Sequence, residues 1–402
     1  MTAPVQRPVD ISQWEQVLEL VRSRPREGLI QLGRGMPDIA EPTMKPLIVA
    51  LRNAARHGDL RSLYYDSIQG VAALREQVAR LLLDSGCQIG PDQLLITTGC
   101  QEAISAGLRA VCQPGDIVAV DSPCFHGTMQ TLKGLGIKAL EIPTDPQLGL
   151  SLDALELLLN EKRLNAVIAM PTVQNPLGCT MPLAAKKRLA RLMNDHQVPL
   201  IEDGLYAEIQ FGGALSPAVK AFDRDGWVLF CSSFTKTLAP DFRVGWICGG
   251  RFHEALRKLK AVSSMSESQL LSETLATFLE SGGYDHHLRN LRKRYAAQVD
   301  EARALIARHF PRGTLATQPA GGFVFWVEFP PGVDSVALFH QLLEEQICLT
   351  PGTLYSPSGR YRNALRLSCC YPFNARYTQA LARLGARACE MSGLPPGIAQ
   401  DG

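Results

Sequence analysis

From residue 94 to residue 250 the chain alternates short apolar, often β-branched runs with helical patterns, and this constrains the fold more than any other feature of the sequence. The runs are LLIT (94–97), IVAV (117–120), KALEI (138–142), AVIAM (166–170), PLIED (199–203), WVLFC (227–231) and RVGWICGG (243–250). Stretches such as QEAISAGLRAVC and PLAAKKRLARLMNDH lie between them and repeat apolar residues at helical spacing. Such alternation predicts an α/β fold with a mostly parallel, seven-stranded sheet. After Gly250 the pattern changes to long amphipathic helices, SESQLLSETLATFLE and YDHHLRNLRKRYAAQVDEARALIARHF. The last hundred or so residues mix strands, GGFVFWVEF (321–329) and ALRLSCC (364–370), with helices over 334–345 and 374–388. The expected organisation is a large domain over 47–285 and a smaller α+β domain built from 1–46 and 286–402.

A chain of 402 residues exceeds the usual size of one domain, about 150 residues. A formal net charge of +2 provides no large positive field for a nucleic-acid backbone, and LRNLRKR reads as a solvated helix face. The opening MTAPVQRPVDISQW has no apolar signal region, and no run approaches the roughly 18 apolar residues of a membrane span, so a cytoplasmic protein without membrane contact is expected. The eleven cysteines form no CxxC pair. They are expected to stay reduced as small core residues, the adjacent Cys369 and Cys370 included, and no metal site is expected.

In a doubly wound sheet, ligands bind outside the carboxyl ends of the strands, and polar residues follow the apolar runs here repeatedly. Thr98-Gly99-Cys100-Gln101 follows LLIT, PTVQNPLG with Asn175 and Gly178 follows AVIAM, PLIED ends on Asp203 with Tyr206 three residues on, and WVLFC runs into Ser232, Ser233 and Lys236. Each alone has a purely structural explanation: a helix cap, a β-turn, a core tyrosine, a surface lysine. Together they deliver four polar groups to one sheet edge. A helix N-terminus with Gly99 at its entrance is an anion site, and Arg243 and the Ser233 hydroxyl add donors suited to a phosphate monoester. A carboxylate at Asp203 suits a protonated ring nitrogen. Phe125, in DSPCFHG, is placed either to stack on a flat ring or to fill the core. Lys236, desolvated near other cations, suits attack on an aldehyde. Phosphate, ring nitrogen and aldehyde together describe pyridoxal 5'-phosphate (PLP).

The ordered set TTGCQEA, SPCF, NPLG, EDGLYAE, SSFTKTLAPDFRVG and ALRLS resembles the fold-type I PLP-dependent aminotransferases of class I/II over nearly the whole chain. The resemblance implies that Lys236 forms the internal aldimine and shuttles a proton between Cα and C4′. It implies that Asp203 holds the pyridinium nitrogen, that Tyr206 and Asn175 contact the ring oxygen, and that Phe125 stacks on the ring. The phosphate would take the backbone of Gly99, Cys100 and Gln101 together with Ser233 and Arg243. Tyr65, in LYYDSIQG, matches a position that reaches the neighbouring subunit's phosphate, which implies a homodimer with shared active sites. Arg366 matches the arginine that forks the substrate α-carboxylate, and Gly35, in GRGMPD, a backbone contact near the substrate, which Asn175 also faces. Gly321 and Gly322 either line the pocket or form a plain turn. Tyr64, Tyr355 and Arg360 are further pocket candidates, unranked, with Cys100. Two residues depart from the family pattern: Cys100 stands where a hydroxyl is frequent, which weakens a phosphate donor, and Asp241 brings an acidic charge near Arg243.

NPLGCTMP, SSFTKTLAP and PVDISQW resemble most the aminotransferase-like domain of the MocR branch of GntR-type transcription regulators, in which a winged helix-turn-helix comes first. A single amphipathic helix, ISQWEQVLELVRSR, precedes IQLGRG, so no nucleic-acid contact is expected through this chain alone. The expected function is transfer of an amino group between an amino acid and a 2-oxo acid. The alternative is an effector-sensing regulator domain, and a lyase or decarboxylase on the same scaffold is a third possibility.

Overall fold

The computed structural model describes residues 11–22, 28–37, 41–57 and 67–397. Its strands, in chain order, are β1 (Ile30–Gln31), β2 (Leu94–Thr97), β3 (Ile117–Ser122), β4 (Lys138–Asp145), β5 (Gly149–Leu150), β6 (Ala166–Ala169), β7 (Leu200–Asp203), β8 (Val228–Ser233), β9 (Gly245–Cys248), β10 (Leu315–Ala316), β11 (Val324–Glu328), β12 (Ile347–Cys348), β13 (Thr350–Pro351) and β14 (Ala364–Ser368). The chain divides into two compact units, a larger one of residues 36–297 with 318–322 and a smaller one of the described residues up to 35, 298–317 and 323–397.

The larger unit is built on a mixed sheet in the order β2-β9-β8-β7-β6-β3-β4-β5. All seven expected strands are in it. The eighth, β5, is a two-residue return paired antiparallel to the end of β4 (Thr144↔Leu150), too short to leave a periodic trace in sequence. Strands β8, β7, β6, β3 and β4 run parallel, and β9 lies antiparallel between β8 and β2. The central strands are apolar on both faces because helices cover both. Alternate residues sort accordingly: Val118, Val120, Ile168 and Ile201 enter one core with Ile104 and Leu108 of the helix Cys100–Val111. Ala119, Val167 and Leu200 enter the other with Leu189 and Met193 of the helix Leu183–His196. Each buried large aliphatic side chain contributes about 1.5–3 kcal/mol, which makes this sheet a rigid platform.

Because β3, β6, β7 and β8 are parallel, their carboxyl ends, Ser122, Ala169, Asp203 and Ser233, share one edge. The end of β2 joins them, since Thr97 and Ser233 both pair with Gly245.

In the smaller unit β10, β11, β14 and β13 form an antiparallel sheet, and β1 pairs parallel with β12. Its core includes Phe325, Trp326, Leu365 and Leu367. The helix Ala375–Ser392 begins on Asn374, whose side chain accepts the Tyr377 N–H, and ends on the left-handed Gly393. No helix among the described residues is long and apolar enough to cross a membrane. All eleven cysteines are free, ten of them buried.

Candidate cofactor and catalytic site

At the shared strand edge two glycines bring backbone onto backbone. Gly99 enters the helix Cys100–Val111 at φ 81°, ψ 171°, a conformation open essentially to glycine alone. A Cβ there would stand 2.7 Å from Nη2 of Arg243. A Cβ on Gly245 would stand 2.7 Å from the Gly99 carbonyl carbon and 2.7 Å from the Ser232 oxygen. The helix start therefore lies directly against β9.

Arg243, itself left-handed at φ 53°, crosses this helix start. Its Nη2 donates to the Thr98 carbonyl at 3.1 Å and its Nη1 to Thr235 Oγ1 at 3.4 Å. Neither Thr98 nor Thr235 stands out in sequence as a partner for it. By helix geometry the N–H groups of Cys100 and Gln101 have no intrahelical acceptor, so a guanidinium and the positive end of a helix converge. An anion placed between them relieves their repulsion. The Gly99 N–H donates to the Thr97 carbonyl at 2.8 Å, so Gly99 contributes room more than a donor. Ser233 is fully buried at the end of β8, and its Oγ accepts the Thr235 N–H at 3.4 Å. Asp241 is exposed on the turn Pro240–Phe242, while the guanidinium of Arg243 bonds Thr98 and Thr235.

Asp203 ends β7 and is buried. Burial pushes its carboxyl up to about 6, against the pull of the Leu205 N–H, the Cys100 thiol and the Lys236 charge. Oδ1 accepts the Leu205 N–H at 3.0 Å and the Cys100 S–H at 3.5 Å. The Cys100 side chain is thus turned to Asp203, where the sequence suggested a weakened phosphate donor. Burial, then the Asp203 charge, hold this thiol well above its ordinary value, which keeps it a donor. Lys236 lies in the turn after β8, half-buried, and its charge acts on both Asp203 and Cys100.

Phe125 precedes the helix His126–Gly134, with its ring over Gly127, where a Cβ would come within 2.4 Å of Phe125 Cε1. The exposed Gln101 side chain donates to Thr131 Oγ1 at 2.5 Å and to the Gly127 carbonyl at 3.4 Å, so it braces this turn.

Asn175 is buried in the loop after β6. Val173, two residues before it, is held at φ 52°, a strained conformation for a β-branched residue, and its N–H donates to Thr180 Oγ1 at 3.1 Å. The buried ammonium of Lys186 ties this loop down through Thr172 Oγ1 (2.6 Å), Ser216 Oγ (2.9 Å) and the Pro217 carbonyl (2.7 Å). Gly178 is left-handed and tight against Pro319.

Tyr206 is fully buried at the head of the turn Ala207–Ile209. Gly321 and Gly322 form a turn closing on this region: a Cβ on Gly322 would approach Val173 at 3.1 Å and the Tyr206 ring at 3.2 Å, and the Gly322 N–H donates to the Ile209 carbonyl at 2.8 Å.

Asp121 was not singled out in the sequence. It is buried near the end of β3, and its Oδ2 accepts the Met170 N–H at 3.0 Å. Burial raises its carboxyl to about 7, the Met170 and Gln174 hydrogen bonds lower it, and the Asp203 charge adds to the rise. The one available signal is an acidic residue directly after IVAV.

In the smaller unit Arg366 is buried on β14. Its Nη2 donates to the Gly33 carbonyl, and its Cζ lies 5.4 Å from the centre of the Tyr355 ring, itself buried edge-on to Trp326. Gly35 is partly buried and Arg360 exposed. Tyr64 and Tyr65 lie outside the described residues.

Residues 27–384 match the family model "Aminotransferase class I and II". The chain belongs to that family. It is 41% identical to the uncharacterized HTH-type transcriptional regulator YjiR of Escherichia coli (strain K12) over 96% of this chain and 82% of that protein. It is 29% identical to the 2-aminoadipate transaminase of Thermus thermophilus over 93% of each chain. The crystal structure of LysN, the α-aminoadipate aminotransferase of that organism complexed with N-(5'-phosphopyridoxyl)-L-leucine, superimposes with a TM-score of 0.85 at 26% identity, covering 94% of this chain and 97% of the other. The fold is therefore that of the fold-type I aminotransferases, and the sheet edge described above belongs to an aminotransferase-family chain.

Proposed function

We propose that this protein binds PLP at Lys236 and transfers an amino group between an amino acid and a 2-oxo acid. Membership of the class I and II aminotransferases and the fold support a PLP-dependent aminotransferase. One observation carries the assignment to these residues: a buried carboxylate, Asp203, feels the charge of Lys236 at the same strand edge where Arg243 crosses a helix N-terminus. The room left by Gly99 and Gly245 and the converging positive groups fit a phosphate, and a buried acid that lacks full compensation fits a cationic ring nitrogen.

In this reading Arg243, Ser233 and the first-turn N–H groups of Cys100 and Gln101 hold the phosphate. Asp203 holds the ring nitrogen in its protonated form, and Phe125 covers the ring face. Tyr206 and Asn175 bind the ring oxygen. Bound PLP supplies the electron sink for the pair left when the Cα–H bond breaks. Lys236, as a free amine, takes the Cα proton and returns it. Arg366 forks the substrate α-carboxylate, a planar recognition that lysine cannot reproduce, and Gly35 offers backbone beside the substrate. The active form is a homodimer in which Tyr65 reaches the partner's phosphate.

A second reading, an effector-sensing domain of MocR type, is favoured by the 41% identity to YjiR. PLP titration with spectroscopy, borohydride trapping and an amino-donor panel separate the two. A visible band, reductive fixation on Lys236 and conversion to the amine form by at least one donor are expected. Bound PLP with Lys236 unlabelled would overturn the site. Labelling without conversion by any donor would favour the sensor.

A further inference from the structure

A buried line of polar side chains that the site above does not use ends on Thr237, the residue after Lys236. Tyr284, at the start of the helix Gly283–His309, places its Oη 2.7 Å from Thr237 Oγ1 and 2.9 Å from Glu208 Oε2. Thr237 directly follows Lys236, and Glu208 stands two residues after Tyr206. The Tyr284 ring meets Phe234, two residues before Lys236, edge-on at 5.6 Å and 83°. One helical turn along the same face, His287 Nε2 meets the Thr237 carbonyl. Arg292 Nε donates to the Glu208 carbonyl at 2.8 Å.

Chemistry gives this line a direction. A phenol has one proton, so with Glu208 ionised Tyr284 donates to the carboxylate and its oxygen receives the Thr237 hydroxyl proton. Burial lowers the proton affinity of His287. The neutral imidazole then has a single N–H, and contact with a carbonyl puts it on Nε2. Both the hydroxyl and the carbonyl of Thr237 are thereby tied to one rigid helix, while Phe234 is pinned by the Tyr284 ring. Lys236 is bracketed on both sides. Glu208 carries the line onto the turn that bears Tyr206; burial pushes its carboxyl up to about 7, against the pull of the Tyr284 hydroxyl and the Arg292 charge, and the Asp84 and Asp285 charges add to the rise.

We propose that Tyr284 is a positioning residue: the Thr237–Tyr284–Glu208 line, braced by His287, holds the Lys236 turn at a set distance from the Tyr206 turn. The inference rests on the Lys236 reading above. A lysine displaced by about 1 Å from the reacting carbon loses up to about 100-fold in rate, whereas substrate affinity, set elsewhere, changes little.

The test uses the full chain loaded with PLP, in the wild type, Tyr284→Phe, Thr237→Val, Thr237→Ser and the Tyr284→Phe/Thr237→Val double variant. Three readouts are taken: thermal melting, the pH midpoint of the visible PLP band, and kcat and KM separately. Tyr284→Phe keeps the ring on Phe234 and removes only the hydroxyl. It and Thr237→Val should each shift the band midpoint in the same sense and lower kcat about tenfold, with KM within about twofold of wild type. Thr237→Ser, which keeps the donor, should match the wild type. The double variant should match either single one, because both break one line. If Tyr284→Phe melts out, the contrast between Thr237→Ser and Thr237→Val carries the same test. Unchanged midpoint and kcat in folded Tyr284→Phe or Thr237→Val, equal losses in Thr237→Ser and Thr237→Val, or additive losses in the double variant would overturn the proposal. Absence of a Lys236-linked band in the wild type would instead sink the Lys236 reading, and this inference with it, before any variant is compared.

Discussion

The thiol of Cys100, first residue of a helix, donates to Oδ1 of Asp203, last residue of a strand, across 3.5 Å and 103 positions of chain. The anion-binding end of the helix and the buried acid are therefore parts of one assembly, and a change at Cys100 is felt at Asp203.

Cys100→Ala should weaken PLP binding about fivefold, the equivalent of one hydrogen bond of about 1 kcal/mol lost from the carboxylate, while Cys100→Ser retains it. Fluorescence titration with PLP checks this, and equal affinities of the Ala and Ser variants would contradict it.

Asp203 should make the cofactor-free protein less stable as pH rises. Its folded value of about 6 lies above the ordinary 3.8, so the folded state binds the proton more tightly. Its contribution is then most favourable below about pH 4 and is lost through pH 6, a difference of about 3 kcal/mol. Asp203→Asn should accordingly be more stable than wild type at pH 7 and converge with it near pH 4, as read by urea unfolding. PLP should stabilise the wild type more than the variant.

Gly99→Ala should cost about 1–3 kcal/mol, because φ 81° with ψ 171° is closed to a side chain and the new Cβ presses on Arg243. Gly245→Ala should cost more, since its nearest neighbours are backbone atoms that cannot swing away. Urea midpoints rank the two, and a wild-type midpoint for Gly99→Ala would refute the geometry.

Arg366→Lys keeps the charge but loses the fork. KM for the amino acid should rise about 10- to 150-fold, the loss of about 1.5–3 kcal/mol typical of a charged hydrogen bond, with PLP affinity unchanged. Steady-state kinetics beside a PLP titration separate these effects.

The seven strands were readable from the sequence by itself, because burial on both sheet faces demands continuous apolar runs. So was the polar residue at each strand end, because parallel strands bring those ends to one edge. Gly99, Asp203, Lys236 and Arg243 were candidates by position, Gly99 and Lys236 soon after an apolar run, Asp203 at the end of one and Arg243 at the start of one, although each alone had a structural explanation. What only the tertiary structure decided is where side chains point and whom they meet. The Cys100 thiol faces Asp203, Asp121 lies near it inside the sheet, Gly245 admits Gly99, and Tyr284 closes on Thr237 and Glu208. Periodicity reports which face of an element is buried and nothing about its partner across the core. Those pairings depend on strand order and on packing between segments far apart in the chain, which no local pattern encodes.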